Sequence, residues 1–147
     1  PGMVNLYKKT RQKEGTNFYK GRRGLKNVFE DQLNCGKEVL ILGGSSLAYD
    51  VLNFYFKWYD KRRKEKKIKA KIIFHDPKKD LKIPYSEVRY LPEKYSSPVA
   101  INIYGDKIAL ILWNKDNPLA IVIQNKLIAE GYKQYFELIW KMAKKTR

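Results

Sequence analysis

An α/β (α+β) fold, a mixed β-sheet flanked by helices, is what this sequence predicts, on three observations. Val39-Leu-Ile-Leu42 is a continuous apolar run, as expected of a strand buried on both faces. Leu25, Val28, Phe29, Gln32 and Leu33 recur at helical spacing, and so do Ile128, Tyr132, Tyr135, Phe136, Ile139 and Met142. Between residues 87 and 123, short β-rich stretches alternate with Pro, Gly, Asp and Asn turns. The 147 residues fit one domain, and a 44% hydrophobic, 14% aromatic composition supplies a core and argues against a disordered chain.

Pro1-Gly2 before Met3 reads as an expression scar. Residues 1–16 read as a basic N-terminal arm, and residues 17–147 as the single domain. Residues 17–20 are a short strand and Gly21-Arg-Arg-Gly24 a basic turn. Leu25 opens a helix that Gly36 stops. After the strand at 39–42, Gly43-Gly44-Ser45-Ser46 leads into a second helix, capped by Ser45 or Ser46 and running from about residue 47 to 66. Leu47, Val51, Tyr55 and Trp58 line one side, with Ala48, Leu52, Phe56 and Tyr59 beside them, so its first three turns need cover on more than one side. From Asp60 it becomes charged and is expected to project into solvent. Residues 68–74 set Ile68, Ala70, Ile72 and Phe74 against Lys69, Lys71 and Ile73, a strand with a basic outer face. His75-Asp76-Pro77 ends it, and residues 78–84 are loop. Strands follow at 87–91, 99–104, 107–113 and 119–123, with turns at 93–97 and 114–117 and a tight hairpin at Gly105-Asp106. A final helix begins near Lys126, giving the order β-α-β-α-β-β-β-β-β-α.

Lys and Arg total 31 against 15 Asp and Glu, a formal net charge of +16. The excess lies in residues 1–26, 57–82 and 141–147, while residues 83–140 balance. A basic surface attracts polyanions over about a Debye length, ~8 Å at physiological salt. Lys61, Arg62, Arg63, Lys64, Lys66, Lys67, Lys69 and Lys71, with the arm, are therefore candidate nucleic-acid contacts. Solvated lysines of a Lys-rich proteome give the same composition.

His75 and Cys35 are the sole histidine and cysteine. One cysteine forms no intramolecular disulfide. The two residues fall short of the three or four ligands of a zinc site, so no metal and no cofactor are expected. His75 would have to serve any Ser-His-acid triad, and beside Asp76-Pro77 it reads first as a turn residue. Cys35, before Gly36, reads as a small buried hydrophobe. Gly43-Gly44-Ser45-Ser46 joins a buried strand to a helix N-terminus, where free N–H groups and the dipole favour phosphate or carboxylate. It is neither a Walker loop nor Gly-x-Gly-x-x-Gly, and a tight turn with a serine cap explains it equally. Apolar runs stay well short of the ~20 residues of a membrane span. The N-terminus lacks the apolar core of a signal peptide, and a cytoplasmic setting is expected.

Two stretches carry a resemblance. One is Phe18-Tyr19-Lys20-Gly21, the first helix and Val39-Leu-Ile-Leu-Gly-Gly-Ser45. The other runs from Glu87-Val-Arg-Tyr-Leu-Pro-Glu-Lys-Tyr-Ser-Ser-Pro-Val-Ala-Ile-Asn-Ile-Tyr-Gly-Asp-Lys-Ile-Ala-Leu110 through Pro118-Leu-Ala-Ile-Val-Ile to the helix ending near Trp140. Over residues 17–143 the chain resembles the C-terminal effector domain of archaeal TrmB-like transcriptional regulators. The resemblance implies a phospholipase D-like fold, a homodimer and a role in sensing or assembly. The phospholipase D superfamily carries His-x-Lys-x4-Asp, in which His attacks phosphorus, Lys holds phosphate oxygens and Asp orients the chemistry. The resemblance puts those roles at Pro98, Ala100 and Gly105, which cannot perform them. Started at His75, the pattern meets Pro77 and Lys82. A nucleophile without base and phosphate clamp loses orders of magnitude in rate, so no enzyme is expected.

The winged helix-turn-helix of those regulators has no counterpart before residue 17. The extra C-terminal β region of sugar-binding members has none either. The function expected is a non-catalytic effector or dimerisation domain sensing a small polar or anionic ligand. Its candidate contacts are Gly44, Ser45, Ser46, His75, Tyr95, Ser96 and Tyr104. DNA would be met through a helix-turn-helix domain outside this chain. The alternative is a stand-alone basic protein that contacts nucleic acid directly through its basic segments. A homodimer also follows from the aromatic surplus on the 47–59 helix, and no membrane partner is expected.

Overall fold

Strand β2 (Val39–Gly44) is apolar on both sides, and it lies inside the sheet with a neighbour on either hand. The structure, a computed structural model, describes residues 14–75 and 82–145. Its other strands are β1 (Gly15–Lys20), β3 (Ala70–Phe74), β4 (Ser86–Tyr90), β5 (Val99–Tyr104), β6 (Lys107–Leu112) and β7 (Leu119–Gln124). Helices α1 (Gly21–Cys35), α2 (Leu47–Leu52), α3 (Tyr55–Glu65) and α4 (Lys126–Met142) complete the described elements, with a 3-10 turn at Glu93–Tyr95. The strands form one mixed sheet in the order β1-β7-β6-β5-β2-β3-β4. β2, β3 and β4 run parallel, and the pairs from β2 through β5, β6 and β7 to β1 are antiparallel.

The alternation of each strand divides the core in two. On one face Val39, Ala70, Ile72, Ala100, Tyr104, Ala109, Ile111 and Ala120 meet α1, α2 and α3. Small strand residues there admit large helix rings. Phe29 of α1 packs edge-on to Phe56 and Tyr59 at centroid distances of 5.0 and 5.1 Å and stacks on Trp113 at 6.0 Å. On the other face Leu40, Ile73, Ile103 and Ile108 meet Ala129, Phe136 and Trp140 of α4. That helix is capped by Asn125, whose side chain accepts from the Ile128 N–H at 3.1 Å.

Several expectations are corrected. The strand at residues 17–20 begins at Gly15, inside the segment read as an arm; residues 1–13 lie outside the described residues. Gly21-Arg-Arg-Gly24 is the first turn of α1, not a free turn: Gly21 takes φ +73, and its N–H donates to the Pro118 carbonyl at 2.8 Å. The helix read over 47–66 is two, α2 and α3, broken where Asn53 adopts φ 51. Nor does it leave the protein at Asp60. Asp60 and Arg63 are buried, because the Arg63 guanidinium donates to Asp60 and to the carbonyls of Ile68, Pro84 and Tyr85, tying α3 to the approach to β4. The face of β3 expected to be basic and outer is covered by α4: Ile73 is fully buried and Lys71 Nζ lies 5.4 Å from the Trp140 ring. Asp76, Pro77 and residues 78–81 lie outside the described residues.

Candidate functional site

Parallel β2 and β3 end on one rim of the sheet, and antiparallel β5 begins there. This brings Gly43, Gly44, Ser45, Ser46, His75 and the approach to β5 to one end of the molecule. Gly44 is packed: a Cβ on it would meet Ile72 Cγ2 at 2.8 Å. Ser45 is buried and accepts from the Leu47 N–H at 3.1 Å, while Ser46 sits at the N-cap of α2. A Cβ on Gly43 would lie 3.8 Å from His75 Cε1, placing the histidine beside the glycine loop. His75 is half-buried, and neither ring nitrogen has a partner in bonding geometry among the described residues. Burial lowers its pKa, although the nearby backbone of Tyr95 pulls it partly back. Tyr95 and Ser96 are exposed on the 3-10 turn and its end.

Tyr104 does not belong to this group. Val39 pairs with Tyr104 and Leu42 with Ile101, so the antiparallel run of β5 carries Tyr104 to the opposite rim. There it is wholly buried, and its hydroxyl donates to Asp31 Oδ2 at 3.1 Å. Burial and the Asp31 charge drive its pKa upward. The positions to which the sequence resemblance assigns the phospholipase D motif divide in the same way. Pro98 and Ala100 lie at the His75 rim, and Gly105 lies beside Tyr104. Ala100 is buried. Between the sheet and the helices lies a partly open cavity of about 50 Å³, lined among others by Ser45, Tyr49, Asp60 and Asn102. Small-molecule sites generally occupy ~300–1,000 Å³.

The basic residues sort differently from their order in the chain. Arg63 is 1% exposed and spent on internal bonds, and Lys71 lies on the sheet face under α4. Neither can join Lys61, Arg62 and Lys64 in one surface. Lys66 reaches back to the Leu33 carbonyl at 3.3 Å, and Lys67 and Lys69 follow the helix as exposed residues. What α3 presents instead is Lys57, Lys61 and Lys64, at i, i+4 and i+7 on one exposed stripe, with exposed Phe54 and Trp58 along it. Glu65 is the exposed acid of that helix. The Arg62 guanidinium lies 4.2 Å from the Trp58 ring centroid and 2.8 Å from Glu30 Oε1. Burial opposes ionisation of Glu30, but hydrogen bonds from Tyr55 and Arg62 outweigh it and leave its pKa below the ordinary value. Lys26 of α1 sits 5.7 Å over the Tyr55 ring, extending the basic surface onto α1. Beside the stripe opens a hollow of about 420 Å³ lined by Tyr49, Asn53, Phe54, Lys57, Asp60, Lys82 and Pro84. Phe54, Lys57 and Trp58 were missed as surface residues because the whole run to Tyr59 reads as apolar; the 57, 61, 64 spacing was the available signal.

Neither a protein-family model nor a curated protein matches this sequence. Solved structures do match the fold. Nuc from Salmonella typhimurium, a phospholipase D family member, matches with TM-score 0.64 at 13% identity, over 89% of this chain and 97% of that one. NucT from Helicobacter pylori matches with TM-score 0.63 at 12% identity, over 88% and 98%. TrmBL2, an archaeal chromatin protein with a mode of DNA binding described as novel, matches with TM-score 0.62 at 14% identity, over 89% of this chain. The chain spans about half the length of TrmBL2, 54% of it. Sheet order, two helical layers and these likenesses together identify the fold as phospholipase D-like.

Proposed function

We propose that this chain is a non-catalytic phospholipase D-like domain that binds nucleic acid through the outer face of α3. The observation that carries the reading is the stripe of Lys57, Lys61 and Lys64 set beside exposed Phe54 and Trp58. Three cations on successive turns match a row of phosphates, and flanking rings add stacking surface. Recognition is of the phosphate backbone, because the stripe holds cations and rings rather than a helix shaped to read bases in a groove. The fold likeness to TrmBL2, a DNA-binding chromatin protein, supports the same partner class. Kinship to TrmB-like regulators rests on the sequence resemblance over residues 17–143, and in such a regulator this domain would hold DNA directly. Sensing of a small ligand by the candidate contacts is less well supported: the cavity that Gly44 and Ser45 line holds about 50 Å³ and is not lined by His75, Tyr95 or Ser96.

The absence of catalysis rests on Pro98, Ala100 and Gly105, which supply no nucleophile, phosphate clamp or carboxylate. The test is fluorescence anisotropy with a labelled DNA duplex, paired with hydrolysis of bis-nitrophenyl phosphate. We expect micromolar, sequence-independent binding that Lys57→Glu/Lys61→Glu/Lys64→Glu weakens at least tenfold, and no turnover. Binding unchanged in that variant removes the interface. Turnover that survives repurification and is lost in His75→Ala removes the non-catalytic reading.

A further inference from the structure

Lysines alone suffice to hold phosphates, yet two large rings stand open on the same face of α3. Phe54 is 77% exposed and Trp58 50%, whereas Phe56 and Tyr59 of the same segment are buried. On a helical wheel Lys57, Lys61 and Lys64 lie on one flank, Phe54 and Trp58 along the crest, and Arg62 on the flank toward α1. Trp58 is held in place. The Arg62 guanidinium lies 4.2 Å from its ring centroid and is itself fixed by Glu30 at 2.8 Å, and the Tyr55 ring packs against it at 5.8 Å. Lys57 Nζ lies 5.7 Å from the centroid of the Phe54 ring. A ring already held in position loses little freedom when a ligand stacks on it. Asp60, the acid within this run, is buried against Arg63, and exposed Glu65 comes one turn after Lys61. The path from Phe54 to Lys64 therefore shows a polyanion only cations and rings.

Resting on the reading of α3 as a nucleic-acid face, we infer that this face takes unpaired strands in preference to duplex, with Phe54 and Trp58 each stacking on a base while the lysines hold the phosphates. In a duplex both faces of every base are covered by its neighbours, so the two rings gain contact there only by unstacking a step. An unpaired strand offers its bases freely, and stacking on an aromatic side chain tolerates any sequence because every base has a π-face. The spacing of the rings agrees. Four residues separate them, which places them ~6 Å apart along the helix axis. Bases along one strand of a duplex are only ~3.4 Å apart, so two neighbours in a duplex stack cannot meet both rings. An unstacked strand extends to match the wider separation, with its backbone beside Lys57, Lys61 and Lys64.

The chain has three tryptophans, of which Trp113 and Trp140 are buried, so a change of tryptophan emission on binding reports Trp58. The test titrates the full chain with a short oligothymidylate and with its duplex with oligoadenylate, at physiological salt. The single strand should bind at least tenfold more tightly and quench the emission. Trp58→Ala should lose single-strand affinity by roughly tenfold or more, as for one stacked base, and with it most of the preference over duplex. Phe54→Ala should show a comparable loss, and Trp58→Phe should recover most of the native preference. A merely structural role of the rings would lower affinity for both polymers alike. Duplex binding that depends on Lys57, Lys61 and Lys64 without any preference for the single strand overturns this inference alone. So does a preference that survives Trp58→Ala and Phe54→Ala together. Binding of both polymers that ignores reversal of the three lysines overturns the reading of α3 as well.

Discussion

A Cβ atom on Gly43 would stand 2.8 Å from the Val99 carbonyl oxygen, so the end of β2 closes on the start of β5 at the rim where the parallel strands end. Gly43 also takes φ +87, a conformation that costs a non-glycine residue about 1–3 kcal/mol. Gly43→Ala combines this strain with a clash against backbone that cannot swing aside. Urea unfolding should show a loss of more than ~1 kcal/mol, with the denaturant slope unchanged.

Arg63 and Asp60 form a buried ion pair, Nη2 to Oδ1 at 3.1 Å, in which Arg63 also holds three backbone carbonyls and Ser86 Oγ. Burial raises the Asp60 pKa, and the Arg63 charge opposes that rise. Arg63→Met leaves a carboxylate and several carbonyls without their donor and should cost about 3–5 kcal/mol. Adding Asp60→Leu should restore only part of this, because the carbonyls of Ile68, Pro84 and Tyr85 still lose their partner. Full restoration in the double variant would mean that the pair alone, not the clamp on the approach to β4, mattered.

The pH profile of stability should carry an acid limb belonging to His75. Its folded pKa is depressed by burial, so the neutral ring is favoured in the folded state. The stabilisation is then present above the ordinary histidine pKa and is lost as pH falls through the depressed value. Melting temperature should decline below about pH 6.5 before carboxylates titrate. His75→Gln should flatten that part of the curve, and an identical acid limb in the variant would assign the effect elsewhere.

The sequence disclosed most of the sheet because its strands follow local rules. The apolar run at 39–42 requires cover on both faces, and Gly105-Asp106 fixes the β5–β6 hairpin. It did not disclose the break at Asn53, since a helical pattern continues across it and one residue of positive φ interrupts it. It misjudged Arg63, because burial of a guanidinium depends on carbonyls twenty residues onward rather than on its helix neighbours. Of the candidate ligand contacts, read as lying at strand ends or turns, Gly44, Ser45, Ser46 and His75, with Tyr95 and its neighbour Ser96, come to one end because β2 and β3 run parallel. Tyr104 lies at the other rim because the direction of β5 is set by a nonlocal pairing. The lysine stripe needed the folded α3 to separate Lys57, Lys61 and Lys64 from Arg63 and Lys71.

The salt dependence of DNA binding tests the central claim most directly. Affinity for a short duplex is measured across a range of salt for the native chain, for Lys57→Glu/Lys61→Glu/Lys64→Glu, and for a control that reverses Lys94, Lys126 and Lys145 elsewhere on the surface. If α3 carries the phosphate contacts, log K falls linearly with log salt, and loss of the three lysines reduces the slope by about one unit each. The control should keep the native slope, with its affinity close to that of the native chain across the salt range. Equal slopes for the stripe variant and the native chain would contradict the assignment of α3 as the nucleic-acid interface.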